Sequence, residues 1–578
     1  MYPLSSSRQS RSLLITPVSR IALALSTTLV LGLAHTLPTT AAAQLAPLPP
    51  TLPRTHTPQP TSAPISAADL MTRLYIFADD SMQGREVGTP GNVKGTDYIA
   101  AEAQRIGLKP AGDNGTFFQT LPLTIRAFAP STSLRITGGD SIPLFDGFLP
   151  VSDDSIINAH LPVWYAGQVG VASPTRAQME GKLVVFTVDR NDPQRLPNTD
   201  GAAAVALVVL DAIPKSHLRR LREPMVSMPH PPRPRREETT LILITEKTLA
   251  TLFGKPLAEL KPGTAGSNVD FTVFHVERPA PYPGRNVVAI LPGSDPVLSH
   301  QYVAIGAHND HIGMSAAPLD HDSVRVYNHT LRIEGADQGP RTPTDEQRAL
   351  LEMQRAQLDK QQTGGVARPD SIFNGADDDG SGSVSVLEIA EHLAAMPVKP
   401  KRSILFVWHV GEEKGLWGSE WFTDHPTVPR DSIVTQLNID MIGRGDANDI
   451  VHGGPHYLQL VGSRRLSTEL GDLIEQVNKN DHHDFTFDYT FDAPGHPQQI
   501  YCRSDHYSYA RYGIPVTFFT TGGHPDYHQI TDEPEYIDYE HMARVASLIS
   551  DVAVHVANLS HAPVVDHRKP NPHGSCTQ

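Results

Sequence analysis

The chain has 578 residues, with 48 Lys and Arg against 63 Asp and Glu, a formal charge of −15 and two cysteines. Such a length exceeds what one hydrophobic core usually serves, so a large domain with at least one smaller module is expected. An acidic balance without a sustained basic patch argues against nucleic acid as a partner, and two cysteines cannot build a disulfide framework.

At the amino end, Arg8, Arg11 and Arg20 precede an apolar run from Ile21 to Ala34 and the small residues Ala41, Ala42 and Ala43. This is the pattern of a secretory signal over 1–43, and the run is short of the ~20 apolar residues that span a bilayer. A retained anchor is the alternative. The expectation is an exported protein, periplasmic or extracellular, with no stable membrane insertion after signal removal. Residues 44–64, rich in Pro, Thr and Ser, read as a linker. From Ser66, a candidate cap, Leu70, Leu74 and Phe77 fall on one helical face. A second helix runs through Tyr98 to Ile106, and 65–130 open the main domain. Residues 131–280 differ: the runs LPVWYAG, GKLVVFTVD and AAVALVVLD between turns predict an inserted β-rich module. Its Pro- and Arg-rich stretch, 215–238, reads as a solvated loop.

From 281 to 560 strands and helices alternate, which predicts an α/β domain with a mostly parallel sheet flanked by helices. Strands predicted at 302–307, 403–410, 434–439 and 515–520 each lead into groups that can hold a metal or a proton. These are His308 with Asp310, Glu412 with Glu413, Asp440, and a Gly-rich loop reaching His528. Ligands of open α/β sheets bind outside the carboxyl ends of the strands, so these groups should converge. Asp377, Asp378 and Asp379 precede a predicted helix with the apolar stripe Val386, Ile389, Ala390 and Leu393. Capping is the plain reading of Asp377 or Asp379. A calcium loop is another reading, and it would need Glu388 as its twelfth-position ligand.

Imidazole and carboxylate donors together suit a borderline divalent ion such as zinc. If Asp378 bridges two ions, one takes His308 and Asp440 and the other Glu413 and His528. Such a pair activates water and polarises a carbonyl. Glu412 is then free to move a proton as general base and acid.

The set VAIGAHNDHIG, NGADDDGSG, VGEEKGLWGSE, NIDMIGR, YCRSDHYSYARYGIP and DYHQITDE, in that order, resembles the zinc aminopeptidases of metallopeptidase family 28, a group that includes bacterial leucyl aminopeptidase, aminopeptidase Y and glutamate carboxypeptidase. The resemblance, which runs from about Ser66 to Leu559, implies a mixed sheet wrapped by helices, with two Zn²⁺ ions at its carboxyl edge. It implies His308, Asp378, Glu413, Asp440 and His528 as ligands and Glu412 as the base. Asp310 would orient the His308 imidazole without binding the ion. It points to Tyr501 as the tyrosine that stabilises the oxyanion, with Tyr507 and Tyr509 as nearby competitors. The middle module looks like a protease-associated domain over 131–280. Residues 316–370 are then an insertion in the catalytic domain, either shaping the mouth of the site or decorating the surface, with a helix in TPTDEQRALLEMQRAQLDKQQTGG. The implied activity is removal of amino-terminal residues from peptides or proteins.

Other readings stay open. A carboxypeptidase or dipeptidase would use the same centre, with Arg444 or Arg503 clamping a substrate carboxylate. A receptor-like ectodomain would use the architecture without catalysis. There is no G-x-S-x-G elbow for a serine nucleophile. His311, His506 and His524 read as neighbours of the site rather than ligands. Cys502 reads as packing, its pairing with Cys576 is undecided, and the tail 561–578 reads as mobile.

Overall fold

The computed structural model describes residues 52–151, 155–189, 197–213, 218, 221–229, 239–339, 341–361, 368–445, 450 and 453–578. The expected signal segment, the first part of the linker and most of the Pro- and Arg-rich stretch lie outside the described residues. The described residues up to Thr124, together with Pro279–Gln578, form one compact unit, and Ile125–Arg278 form another.

In the larger unit, helix α1 (Ala67–Phe77) starts where the sequence places it, because the Ser66 hydroxyl accepts the Asp69 N–H. Leu70, Leu74 and Phe77 are fully buried, each contributing about 1.5–3 kcal/mol of apolar transfer. Helix α2 (Pro90–Ile106) has proline in its first turn and stops at Gly107, which adopts φ +89°. A side chain there would meet the left-handed penalty that glycine avoids.

The sheet of this unit has nine strands: β1 (Lys109–Pro110), β2 (Phe118–Leu121), β3 (Gly284–Leu291), β4 (Tyr302–His308), β5 (Ser403–His409), β6 (Ile433–Ile439), β7 (Tyr457–Val461), β8 (Thr486–Asp488) and β9 (Val516–Thr520). Its order is β1-β3-β5-β4-β6-β9-β7-β8, with β2 also on β3. The central strands β5, β4, β6 and β9 run parallel, and antiparallel pairs flank them. The fold is therefore mixed α/β. Parallel central strands are buried on both faces, which is why they read as continuous apolar runs. In β5, Ile404, Phe406 and Trp408 pack with α1, α3 (Gly382–Ala395) and α4 (Tyr539–Asn558), while Leu405 and Val407 join Phe422 and Tyr509 in a second core. Parallel neighbours put their carboxyl ends on one edge, and that edge holds His308, the loop after His409, Asp440 and the loop after Thr520.

The 316–370 region contains the helices His321–Leu331 and Asp345–Gln361, the latter matching the sequence expectation. It is more than surface decoration. The Arg325 guanidinium is 2.5 Å from Asp526, both buried, and the Ala336 N–H donates to the Tyr527 carbonyl. The insertion thus buttresses the loop that carries His528. The tail is also tied down: Cys502 and Cys576 form a disulfide, and the Gln578 side chain bonds the backbone of Tyr501, Phe491 and Ala493. The expectation of a mobile tail fails because these anchors are distant in sequence. Among the described residues no helix is long and apolar enough to cross a membrane.

The smaller unit is β-rich as expected. Its five-stranded sheet places Ala204–Val208 between Leu183–Thr187 and Thr240–Ile244, with Phe148–Val151 and Val163–Gln168 at the edges.

Candidate metal centre

The approach to α3 presents three aspartates in three environments, and the Asp378–Asp379 peptide bond is cis. Asp379 is used by the backbone: one oxygen accepts the His308 N–H at 2.9 Å, the other the N–H groups of Gly382 and Met441. Asp377 accepts the Gly443 N–H at 2.6 Å. Only Asp378 turns both oxygens toward imidazoles, Oδ1 at 3.1 Å from His308 Nε2 and Oδ2 at 2.9 Å from His528 Nε2. The loop is held from behind, because Asp532 accepts the N–H groups of Asp377 and Asp378 while buried Arg85 donates to the carbonyls of Asn374 and Gly375. Asp379 accepts the N–H of Gly382, the first residue of α3, while the N-cap position itself is Ser381. The calcium reading fails, since Glu388 lies inside α3 and bonds Arg73.

Around Asp378 two clusters form. On one side His308 Nε2 is 3.7 Å from Asp440 Oδ1, whose other oxygen accepts the Ser504 hydroxyl. On the other, His528 Nε2 is 3.0 Å from Glu413 Oε2, and His311 Nδ1 is 2.8 Å from Glu413 Oε1. His311, Asp378, Glu413 and His528 can place one ligand atom each within 4.8 Å of one another; a second such group joins His308, Asp379 and Asp440. Because Asp379 already accepts three backbone N–H groups, Asp378 is the better third member of that second group.

The five residues expected as ligands therefore meet at one edge. His311, read from sequence as a bystander, sits inside the cluster. Nothing in the string HNDHIG reveals this, because the chain turns sharply after β4 and periodicity no longer predicts direction. Asp310 meets the His308 imidazole through its backbone, with its carboxylate Oδ1 3.8 Å from Nδ1. Its backbone carbonyl accepts the proton of His308 Nδ1 at 3.0 Å, which turns Nε2 toward Asp378 and Asp440. Its carboxylate instead accepts the N–H groups of Gly411 and Glu412, fixing the turn that presents both glutamates.

Tyr501 is buried in the second core, with the Arg465 guanidinium over its ring and its neighbours His506 and Tyr507 edge-on. Tyr509 donates to or accepts from His409, deep in the same core. The tyrosine that faces the cluster is Tyr527, stacked on the His528 ring at 4.0 Å, with its hydroxyl accepting from Arg503 at 3.3 Å. Its position immediately before His528 is a signal the sequence did contain. Arg503 also makes a forked pair with Asp337 from the insertion. Arg444 is fully buried and bound to Asp526 and Asp532.

The electrostatics say that the edge is short of positive charge. Burial alone would discharge the imidazoles, yet Asp378 together with Asp379 and Asp440 raises His308 well above the usual range. His528 is raised likewise by Glu413 and Asp378 against burial. Burial would raise Glu413, but His528 holds it at about 2, and Asp378 is lowered well below its usual value by His308 and His528 despite burial. Glu412 goes the other way, raised by burial and by its neighbours Glu413 and Asp440. Protons thus sit where metal ions compete for the same lone pairs. The donor set fits divalent ions on a structural ground also: Asp378 Oδ2, Glu413 Oε1 and both ring nitrogens of His311 are buried without a hydrogen-bond partner, which is costly unless a ligand satisfies them.

Residues 286–553 match Peptidase family M28. Over 182 residues the chain is 28% identical to a probable leucine aminopeptidase of Arthroderma otae, a match covering 30% of the chain and 45% of the relative. It is 30% identical over 154 residues to leupeptin-inactivating enzyme 1 of Streptomyces exfoliatus, covering 25% of the chain and 30% of that protein. The chain thus spans under half the length of these curated relatives. Among solved structures, the aminopeptidase from Aneurinibacillus sp. strain AM-1 aligns over 88% of this chain and 97% of its own, with 16% identity and a TM-score of 0.44.

Proposed function

We propose that the chain is an exported di-zinc aminopeptidase, with Asp378 shared between an ion held by His308 and Asp440 and an ion held by Glu413 and His528. The observation that carries the reading is the division of Asp378: each of its oxygens addresses a different imidazole, 3.1 and 2.9 Å away, as a bridging carboxylate requires. Zinc bound there would lower the pKa of the attacking water and polarise the scissile carbonyl.

The protein's own groups do the rest. Glu412, held by the N–H bond from its backbone to Asp310, takes the proton of the attacking water and returns it to the leaving amine. Burial pushes the Tyr527 phenol well above its usual range, so it keeps its proton and donates to the carbonyl oxygen as charge develops, a role we assign to Tyr527 in place of Tyr501. Arg503 aligns that hydroxyl. The free α-amine of the substrate finds an acidic surround. The unit Ile125–Arg278 would be the protease-associated module.

The carboxypeptidase reading is weaker because its clamps are engaged: Arg444 by Asp526 and Asp532, Arg503 by Asp337. Hydrolysis of a leucine anilide, with an N-acetylated peptide left intact, is the expected result. Cleavage of only the blocked peptide would overturn the amino-end assignment.

A further inference from the structure

The first histidine after β4 has a task that neither packing nor hydrogen bonding accounts for. His311 is fully buried, and both Nδ1 and Nε2 lack a hydrogen-bond partner. Its ring is held in place: its backbone N–H donates to the Arg85 carbonyl at 3.3 Å, and Gly375, at φ +53°, lies against it so closely that a Cβ there would fall 2.5 Å from His311 Cγ. The ring is directed at the Glu413 cluster, with Nδ1 2.8 Å from Glu413 Oε1 and 3.7 Å from Asp378 Oδ2, and with its plane at 67° to that of His528. The contact with Glu413 is short, yet Glu413 Oε1 and both ring nitrogens of His311 remain without a satisfied hydrogen bond. Donors ~2.0–2.2 Å from one tetrahedral zinc lie roughly 3.3–3.6 Å apart, so the 3.7 Å separation from Asp378 is close to that of two donors on one ion, and the 2.8 Å contact with Glu413 would open when an ion enters.

We infer that His311 is a ligand of the ion held by Glu413 and His528, so that the two metal positions are chemically unequal. This rests on the di-zinc reading above. One position then has two imidazoles, Glu413 and a share of Asp378. The other has one imidazole, Asp440 and the other share. Imidazole nitrogen is the better donor for zinc among these groups, so the His311 position fills first and empties last, and the protein passes through a stable singly loaded state.

The test is a zinc titration of the metal-free full chain against a chromophoric chelator, with Co²⁺ absorption as a second readout, on wild type, His311→Ala and His311→Asn. Asn keeps a hydrogen-bond donor for Glu413 but is a poor zinc ligand. Wild type should bind two equivalents, the first at least tenfold tighter than the second. Both variants should lose that first tight step by about 100-fold, with a changed visible spectrum for the first cobalt equivalent and an unchanged thermal midpoint of the metal-free protein. Full retention of the tight step in His311→Asn would assign His311 to hydrogen bonding and overturn the inference while leaving the di-zinc reading intact. Two equal steps in wild type would also overturn it. Failure of wild type to bind any zinc would sink the underlying reading together with the inference.

Discussion

Two clusters of buried charge lie in the same unit, and they are built on opposite principles. Behind the sheet, Arg73 of α1 meets Glu388 at 3.0 Å, Glu102 at 2.5 Å and Glu391, and Arg105 closes the group by pairing with Glu391 at 2.9 Å. Each carboxylate has an arginine. At the carboxyl edge of the sheet, Asp378, Glu413 and Asp440 meet imidazoles rather than arginines, and several oxygens and nitrogens have no partner. A closed cluster stabilises α1 against α2 and α3 and needs nothing further. An open one leaves unsatisfied donors converging on a point, which a fold tolerates when a ligand supplies the missing charge.

The sharpest way to break the comparison is at the edge. Glu412→Gln should lower kcat by about 10²–10⁴ while metal content, measured by elemental analysis, stays near that of wild type; Asp378→Asn should lose both. Equal metal loss in the two variants would mean that base and ligand have been confused. Behind the sheet, Arg73→Met should cost about 3–5 kcal/mol, read by denaturant unfolding, because it strands the buried Glu388, yet leave metal content alone. Zinc at 100 times the Kd of the tighter position should add about 2.7 kcal/mol from that position to the stability of the metal-free protein, and the same increment should appear in the Arg73 variant if the clusters are independent. The smallest expected effect concerns pH. Burial raises Glu388 from 4.5 to about 7 even beside Arg73, so the folded state binds a proton that the unfolded state has released. Stability should therefore fall as pH rises from about 4.5 through about 7, by roughly 1–3 kcal/mol. Glu388→Gln should flatten that slope in thermal unfolding; an unchanged slope would show that Glu388 does not cause it.

Much of the edge could be read before any coordinates. His308 ends β4, Asp440 follows β6 directly and Glu413 stands four residues beyond β5, and the direction of these apolar strands fixes the edge at which they stand. Asp378 was legible through the helix it precedes. Residues that lie in turns were harder. Asp310 shares its short turn with His308, and only the fold shows that its carbonyl is the hydrogen-bond partner of the imidazole while the carboxylate, 3.8 Å from Nδ1, secures Gly411 and Glu412. Tyr501 sits beside a conspicuous SDH motif, but the loop packs it inward against Arg465, whereas Tyr527 emerges beside His528. The buttress formed by Arg325 and Asp526 joins positions 201 residues apart, a pairing that no local pattern carries. The disulfide and the tethered tail were hidden for the same reason.

The central claim is that this edge holds ions and that the chemistry depends on them. Zinc stoichiometry of the purified chain, measured alongside leucine-anilide hydrolysis before chelation, after it and after add-back, tests this most directly. The account predicts two zinc ions per chain and hydrolysis that disappears and returns with them. A chain that retains no zinc when saturated with it, or that hydrolyses the anilide equally well after complete metal removal, would contradict it.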